Sequence, residues 1–309
     1  MQTYFTGRAT IDKNLIQAVF YCCGYGLLTT IATLCVKVAA PHTSDSMIVF
    51  FRFTVSIIYI AVIFAIQYLR GKSFSLTTKK PGLHLLRASA AFLCQFTLFY
   101  ALQYIPLMDG NLLFMTNPLF VPIVGAIFLG TRSNYKNWLA IILGFIGVTL
   151  LLKPGHELFN PAALIALSSG LFAAISILGV HELSKSDSVH TIMFYYFSIT
   201  FVISAIAAVF NWQTPDMHTL ISLLIIGVLL TLAQECSIRA LVHAPAKIVA
   251  PLLYITIVFS GLFDWIVWRH IPDLLSWCGM ITVFIASTLT VVFANQKKST
   301  AKVSAGSSV

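Results

Sequence analysis

The chain has 309 residues, of which 58% are hydrophobic and only 9% charged, with a formal net charge of +9. Soluble domains carry about 25% charged residues, so there is too little polar side chain here to cover a water-facing surface, and a protein of many membrane spans is the economical reading. The cationic excess does not point to nucleic acid, because the Lys and Arg residues gather at the ends of apolar runs.

Residues 1–14 form an N-terminal segment. The first apolar run, from Leu15, is too long for a signal-peptide core and lacks a small-residue cleavage site, so it is expected to remain as a span. A helical span needs about 20 mostly apolar residues. Ten stretches qualify in chain order: 15–38, 46–69, 83–104, 108–130, 136–153, 160–181, 190–211, 218–240, 246–268 and 274–295. Short connections rich in turn formers separate them, among them PHTSD at 41–45, KPGHE at 153–157 and QTPD at 213–216. The tail at 296–309, QKKSTAKVSAGSSV, has no apolar periodicity and is expected to be disordered. Helices follow from the span length, since a backbone in lipid must satisfy its own hydrogen bonds.

With the N-terminus in the cytoplasm, the inner side holds Arg8, Lys13, Arg70, Lys72, Lys79, Lys80, Arg132, Lys136, Lys185, Lys247, Lys297, Lys298 and Lys302. Only Lys37, Lys153 and Arg269 fall at outer ends. That asymmetry predicts both termini inside. The six cysteines all lie in apolar stretches without CxxC spacing and read as packing residues, with neither a disulfide framework nor a metal site.

Shifting the sequence by 139 residues superposes Gln95 on Gln234, Pro106 on Pro245, Phe120 on Phe259, Trp138 on Trp277 and Phe145 on Phe284, within thirteen identities over the 56 positions from Gln95 to Leu150. Chance in apolar sequence gives about four or five, so the chain reads as a duplicated unit of five spans. With a looser offset, FFRF at 50–53 lies over FYYF at 194–197. Because five is odd, the second copy must enter the membrane the other way up. The charges agree: RGKSFSLTTKK at 70–80 carries four cations, whereas its counterpart NWQTPD at 211–216 carries none. Inverted five-helix units are the architecture of a secondary transporter.

An ionised side chain at mid-bilayer costs roughly 2.5–3.5 kcal/mol, so each one in a span needs a reason. Asp264 sits in IVFSGLFDWIVW at 257–268, and its helical face also holds Ala250, Tyr254, Ile257, Ser260 and Gly261. That face is expected to look into the protein, where Asp264 either exchanges a coupling proton or forms a permanent pair with Arg52. Arg52 shares its face with Ser56 and Tyr59 and suits a substrate carboxylate or phosphate. Tyr25 and Tyr254 are aromatic candidates for substrate contact. Glu235 and Arg239, one helical turn apart near the inner end of the eighth stretch, read either as an interfacial salt bridge or as a gate. Gln95 and Gln234 either bind substrate or bridge helices. In the fourth stretch Pro118 and Pro122 remove two backbone donors, so a bend with exposed carbonyls is expected, with Asn111 and Gly125 on the same face. Lys37 and Arg87, at span ends, are expected to snorkel, and Trp138, Trp265, Trp268 and Trp277 to anchor at the interfaces. HELSK at 181–185 lacks the second histidine of a zinc-protease helix, and no second acid at matching depth joins Asp264. A membrane-embedded enzyme acting on a lipid-linked substrate would need such a cluster. No catalytic residue, cofactor or metal site is therefore expected.

The same residues carry a family resemblance. FFRF (50–53), ALQYIP (101–106) and NPLFVPIVGAIFLG (117–130), with RALVHAP (239–245) and APLLYITIVFSGLFDWIVW (250–268) in the second half, resemble a ten-span, EamA-like member of the drug/metabolite transporter superfamily. The resemblance covers residues 15–295, and within the superfamily the chain looks most like S-adenosylmethionine uptake carriers. It implies an all-α membrane protein of ten transmembrane helices in two inverted five-helix repeats, 15–153 and 154–295. It further implies a central cavity lined by spans 1–4 and 6–9, with spans 5 and 10 peripheral. The chain departs from the family pattern at Gly130-Thr131 and Arg269-His270, where Gly-Glu is common, and at Asp264, where many members have glycine. The expected function is proton-coupled or exchange-driven transport of a small polar or amphiphilic metabolite, with uptake of an S-adenosylmethionine-like molecule first and export of amino acids or drugs second. The expected partners are that substrate, membrane lipid and a proton or counter-substrate, in a bacterial inner membrane.

Overall fold

The computed structural model describes residues 2–71, 76–130, 135–152, 161–244, 249, 252–270 and 273–306. Among them the regular elements are helical: α1 (Gln2–Ala39), α2 (Asp45–Leu69), α3 (Pro81–Leu102), α4 (Leu107–Phe114), α5 (Asn117–Leu129), α6 (Tyr135–Leu152), α7 (Pro161–Leu183), α8 (Val189–Phe210), α9 (Met217–His243), α10 (Ile255–Trp268) and α11 (Leu274–Gly306). Seven segments are long and apolar enough to cross a membrane: Asn14–His42, Asp45–Leu69, Pro81–Leu102, Leu107–Phe128, Pro161–Leu183, Val189–Phe210 and Met217–Ala240. Three shorter apolar helices, Trp138–Leu150, Ile255–Trp268 and Leu274–Thr290, occupy the remaining predicted stretches. Large apolar side chains such as Val62, Ile66, Leu139, Ile142, Val202 and Ile206 are exposed along these helices, a surface suited to lipid and not to water.

Helix ends follow local chemistry. Proline opens α3 at Pro81 and α7 at Pro161, where its missing N–H would have no intrahelical partner. Ser188 caps α8 by accepting from the Thr191 amide at 3.2 Å, and Asp216 and Asp273 do the same for α9 and α11 through Thr219 and Ser276. α10 ends on Arg269 in the left-handed region, φ 55°. The last helix runs on to Gly306, although the tail from 296 was expected to be disordered. Its Lys, Gln and Ala residues favour helix, and no proline interrupts it.

The chain divides into two compact units. The first comprises Met1–Thr30, Pro118–Phe159 and Leu232–Val309. In it α6 lies along α11, close enough that a Cβ on Gly147 would come within 2.9 Å of the Gly279 carbonyl oxygen. Small residues admit such backbone approach where no water drives helices together. Ala18 and Cys22 of α1 pack with Ala240, Ala244 and Val249 in the same way. The second unit comprises Ile31–Asn117 and Asn160–Thr231. There α3 packs on α7 and α8, α2 on α8, and α4 on α7. Phe53, Phe99 and Phe197 are its largest fully buried side chains.

Candidate functional site

The fourth predicted span is interrupted. α4 stops at Phe114, Met115 and Thr116 form a turn, and α5 begins at Asn117. Pro118 has no N–H to offer the Phe114 carbonyl four residues back. The Asn117 side-chain amide donates to that oxygen instead, at 3.0 Å, and the Thr116 hydroxyl donates to the Leu113 oxygen at 2.6 Å. The expected bend is present, but these two carbonyls are not exposed: neighbouring side chains close them.

A second interruption precedes α10. Tyr254 is a turn residue, and the Thr256 hydroxyl donates to the Leu253 carbonyl at 2.8 Å. The shift of 139 residues carries Phe114 to Leu253, Met115 to Tyr254 and Asn117 to Thr256. Equivalent residues thus make the same side-chain-to-carbonyl bond at both breaks. Each break is faced by a glycine on another helix. A Cβ on Gly170 of α7 would lie 2.6 Å from the Thr116 hydroxyl and 2.9 Å from the Leu113 oxygen, and one on Gly26 of α1 would lie 2.7 Å from Ile255 and 3.2 Å from the Thr256 nitrogen.

Asp264 is buried on the face read from the sequence: Tyr254, Ile257, Ser260 and Asp264 are all buried, while Val258, Leu262 and Trp265 on the opposite side are exposed. Tyr254 packs edge-to-face on Phe284 with ring centroids 5.2 Å apart. Ala250 lies outside the described residues. Within this first unit the Thr30 hydroxyl of α1 donates to the Thr256 carbonyl at 3.2 Å and lies 3.4 Å from the Ser260 hydroxyl oxygen. Ser260 donates to the same carbonyl at 2.8 Å. Tyr25 is half-buried on α1. Arg239 donates to Glu235 at 2.8 Å, the pair that their four-residue spacing predicted. The Arg239 guanidinium also lies 5.9 Å from the Tyr21 ring.

Arg52, Gln95 and Asn111 belong to the second unit. Arg52 is 5% exposed, lies 4.6 Å from the Phe53 ring, and its Nε and Nη1 have no hydrogen-bond partner among the described residues. Beside it on α2, Ser56 shares a 2.8 Å hydroxyl contact with Thr231. Gln95 is half-buried, with its Oε1 likewise lacking a partner among the described residues. Asn111 is fully buried and donates to the Thr33 hydroxyl at 3.2 Å. Of the residues singled out from the sequence, Glu235 and Arg239 are brought into direct contact.

Two expectations are corrected. Lys37 does not reach for water: its ammonium donates to the Ile105 carbonyl at 2.7 Å. Arg87 is buried, donates to the Ile192 carbonyl at 3.3 Å and stands 4.2 Å over the Tyr196 ring. In both cases a backbone oxygen left over at a helix end or turn captures the cation before water does.

Sequence reasoning missed a buried polar cluster in the second unit. His84 Nε2 lies 2.8 Å from Asp187, with the two side chains 1% and 2% exposed. Thr78 donates to the same carboxylate oxygen at 2.6 Å. Tyr195 stacks on the imidazole at 4.5 Å and donates to the Leu76 carbonyl at 3.0 Å. Burial alone would raise the Asp187 carboxyl. Hydrogen bonds from Thr78, His84 and Ser186, with the imidazole charge, outweigh it and hold the group below its ordinary value. The one sequence cue was His84 itself, a polar residue three before Arg87 on an otherwise apolar helix.

The EamA-like transporter family model matches residues 16–153 and again 160–292. This chain belongs to the EamA-like transporter family. It is 32% identical to a riboflavin transporter of Vibrio cholerae, over 77% of this chain and 80% of the relative. It is 28% identical to an S-adenosylmethionine uptake transporter of Rickettsia bellii, over 91% and 96%, and 28% identical to a pseudopaline exporter of Pseudomonas aeruginosa, over 81% and 87%. A solved crystal structure shares the fold with a TM-score of 0.61 at 16% identity, covering 90% of this chain and 98% of the other. An EamA-like chain with this many apolar helices is a multi-pass integral membrane transporter and not an enzyme.

Proposed function

We propose that this EamA-like chain is a secondary transporter of two five-helix repeats, 15–153 and 154–295, inserted in opposite orientations and working by alternating access. The pair of helix breaks at Met115–Thr116 and at Tyr254 carries this reading, because they lie one repeat length apart and are closed by the same kind of bond. Discontinuous helices at corresponding positions of two halves mark the substrate and coupling sites of such transporters. The packing of α2 on α8 and of α6 on α11 supports it further, since each pairs a helix with its counterpart in the other half.

The substrate is a small polar or amphiphilic metabolite. The relatives, named for S-adenosylmethionine uptake, riboflavin transport and pseudopaline export, bracket that class. We favour uptake of an S-adenosylmethionine-like molecule, with export of amino acids or drugs as the second reading. Arg52 binds the substrate's anionic group through donors that no described residue uses, with Tyr25, Gln95, Asn111 and Tyr254 as further contacts. Energy enters at Asp264 through a proton, or by exchange against a counter-substrate. Glu235 and Arg239 gate the inner end of α9. The protein resides in a bacterial inner membrane with both termini cytoplasmic.

Uptake into proteoliposomes tests this. A panel including S-adenosylmethionine and riboflavin identifies the substrate. Asp264→Asn should then abolish accumulation driven by a pH gradient, at least tenfold, while substrate binding persists. Intact pH-driven accumulation by Asp264→Asn would remove that residue from coupling.

A further inference from the structure

The two helix breaks are alike in backbone and unlike in chemistry. Under the shift of 139, Ser260 corresponds to Val121 and Asp264 to Gly125. Gly26 and Gly170 take the same place against their breaks, and one turn beyond them Thr30 corresponds to Ala174. Three oxygen-bearing side chains therefore gather at the second break, and three side chains with no polar atom stand at the first. A duplicated scaffold needs none of these oxygens, since the first break is built without them.

Their geometry suits a particular ligand. Thr30 and Ser260 each direct a hydroxyl proton to one acceptor, the Thr256 carbonyl, at 3.2 and 2.8 Å. The lone pairs of both oxygens are then turned away from that carbonyl, and the two atoms lie 3.4 Å apart. A cation of calcium or sodium size binds oxygens at about 2.4 Å, which spaces neighbouring ligands by about 3.4 Å. The Asp264 carboxylate lies one helical turn beyond Ser260 on the same face, within side-chain reach. Thr30, Ser260 and Asp264 are all buried, at most 1% exposed. One carboxylate neutralises one monovalent charge, whereas a divalent ion would leave a net charge buried in the protein.

We infer that Thr30, Ser260 and Asp264 form a sodium site, so that the carboxylate proposed to take a proton also takes Na+. This rests on the reading of Asp264 as the coupling residue and names a second ion for it. Oxygen-only ligation at an interrupted helix is the chemistry by which such transporters hold sodium.

The test needs no substrate. The melting temperature of the purified full-length protein in detergent is measured in NaCl, KCl and choline chloride at one pH and ionic strength. Sodium alone should raise it saturably, by about 3–5 °C at tenfold excess over the dissociation constant. Thr30→Val and Ser260→Ala should lose that shift while melting in choline within about 2 °C of the wild type. Equal effects of NaCl and KCl on the wild type, or an undiminished sodium shift in both variants, would overturn the site. If either variant melts lower in choline, equilibrium binding of radioactive sodium to the wild type decides: one ion per chain supports the site and none retained overturns it. A failed sodium response beside an Asp264→Asn variant that has lost pH-driven accumulation removes only this inference; intact accumulation in that variant removes the coupling role itself.

Discussion

At the residue scale, the side chains that matter are those whose polar atoms had to find partners away from water. Glu235 and Arg239 were legible because four-residue spacing puts them on one helical face. Asp264 was legible because a period of 100° per residue separates its polar face from an apolar one. His84 and Asp187 were not, since they lie 103 residues apart and meet only after α3 and α8 have packed. Their contact yields a measurable consequence. Removing one member of a buried hydrogen-bonded pair strands the other, so His84→Ala should cost about 3 kcal/mol of stability, read as a lower melting temperature. Asp187, whose folded pKa is depressed, contributes stability that is fully present above the ordinary carboxylate value of about 4 and is lost as pH falls through its lower folded value. Asp187→Asn should therefore be less stable than wild type at neutral pH and lose less on acidification below about pH 4. Equal acid sensitivity of the two would remove Asp187 from the balance.

At the scale of elements, packing depends on how closely backbones approach. Gly170 lies against the carbonyl of Leu113 at the first break, and a Cβ there meets backbone that cannot swing aside. Gly170→Ala should destabilise by about 1–3 kcal/mol and impair transport. Gly82→Ala, at a position with nothing within 4 Å, should be neutral or stabilising by under about 1 kcal/mol. Comparable melting temperatures for the two variants would show that the close approach carries no weight. The first break could be anticipated from Asn117-Pro118, because proline leaves a carbonyl without its donor. The second could not, since Ile257 stands where the repeat places Pro118, and the turn at Tyr254 emerges only from the backbone.

At the scale of the whole molecule, duplication and charge bias make a prediction about sidedness. With native cysteines replaced, single cysteines introduced within 70–80 and within 211–216 should react with a membrane-impermeant reagent from opposite sides of the membrane. Labelling from the same side would mean that the halves run parallel, and alternating access between inverted repeats would lose its basis.

The sequence by itself determined that the chain crosses a membrane many times, where its helices begin and end within a few residues, and that its two halves are related. It could do so because lipid imposes a length and a composition on every span independently of the others. Only the tertiary structure decided which buried polar groups meet: Arg87 with Ile192 and Tyr196, Lys37 with Ile105, His84 with Asp187, and Thr30 with Ser260. Those contacts join segments distant in the chain, and the capture of a cation or hydroxyl by a carbonyl left over at a helix end depends on which helix packs beside it.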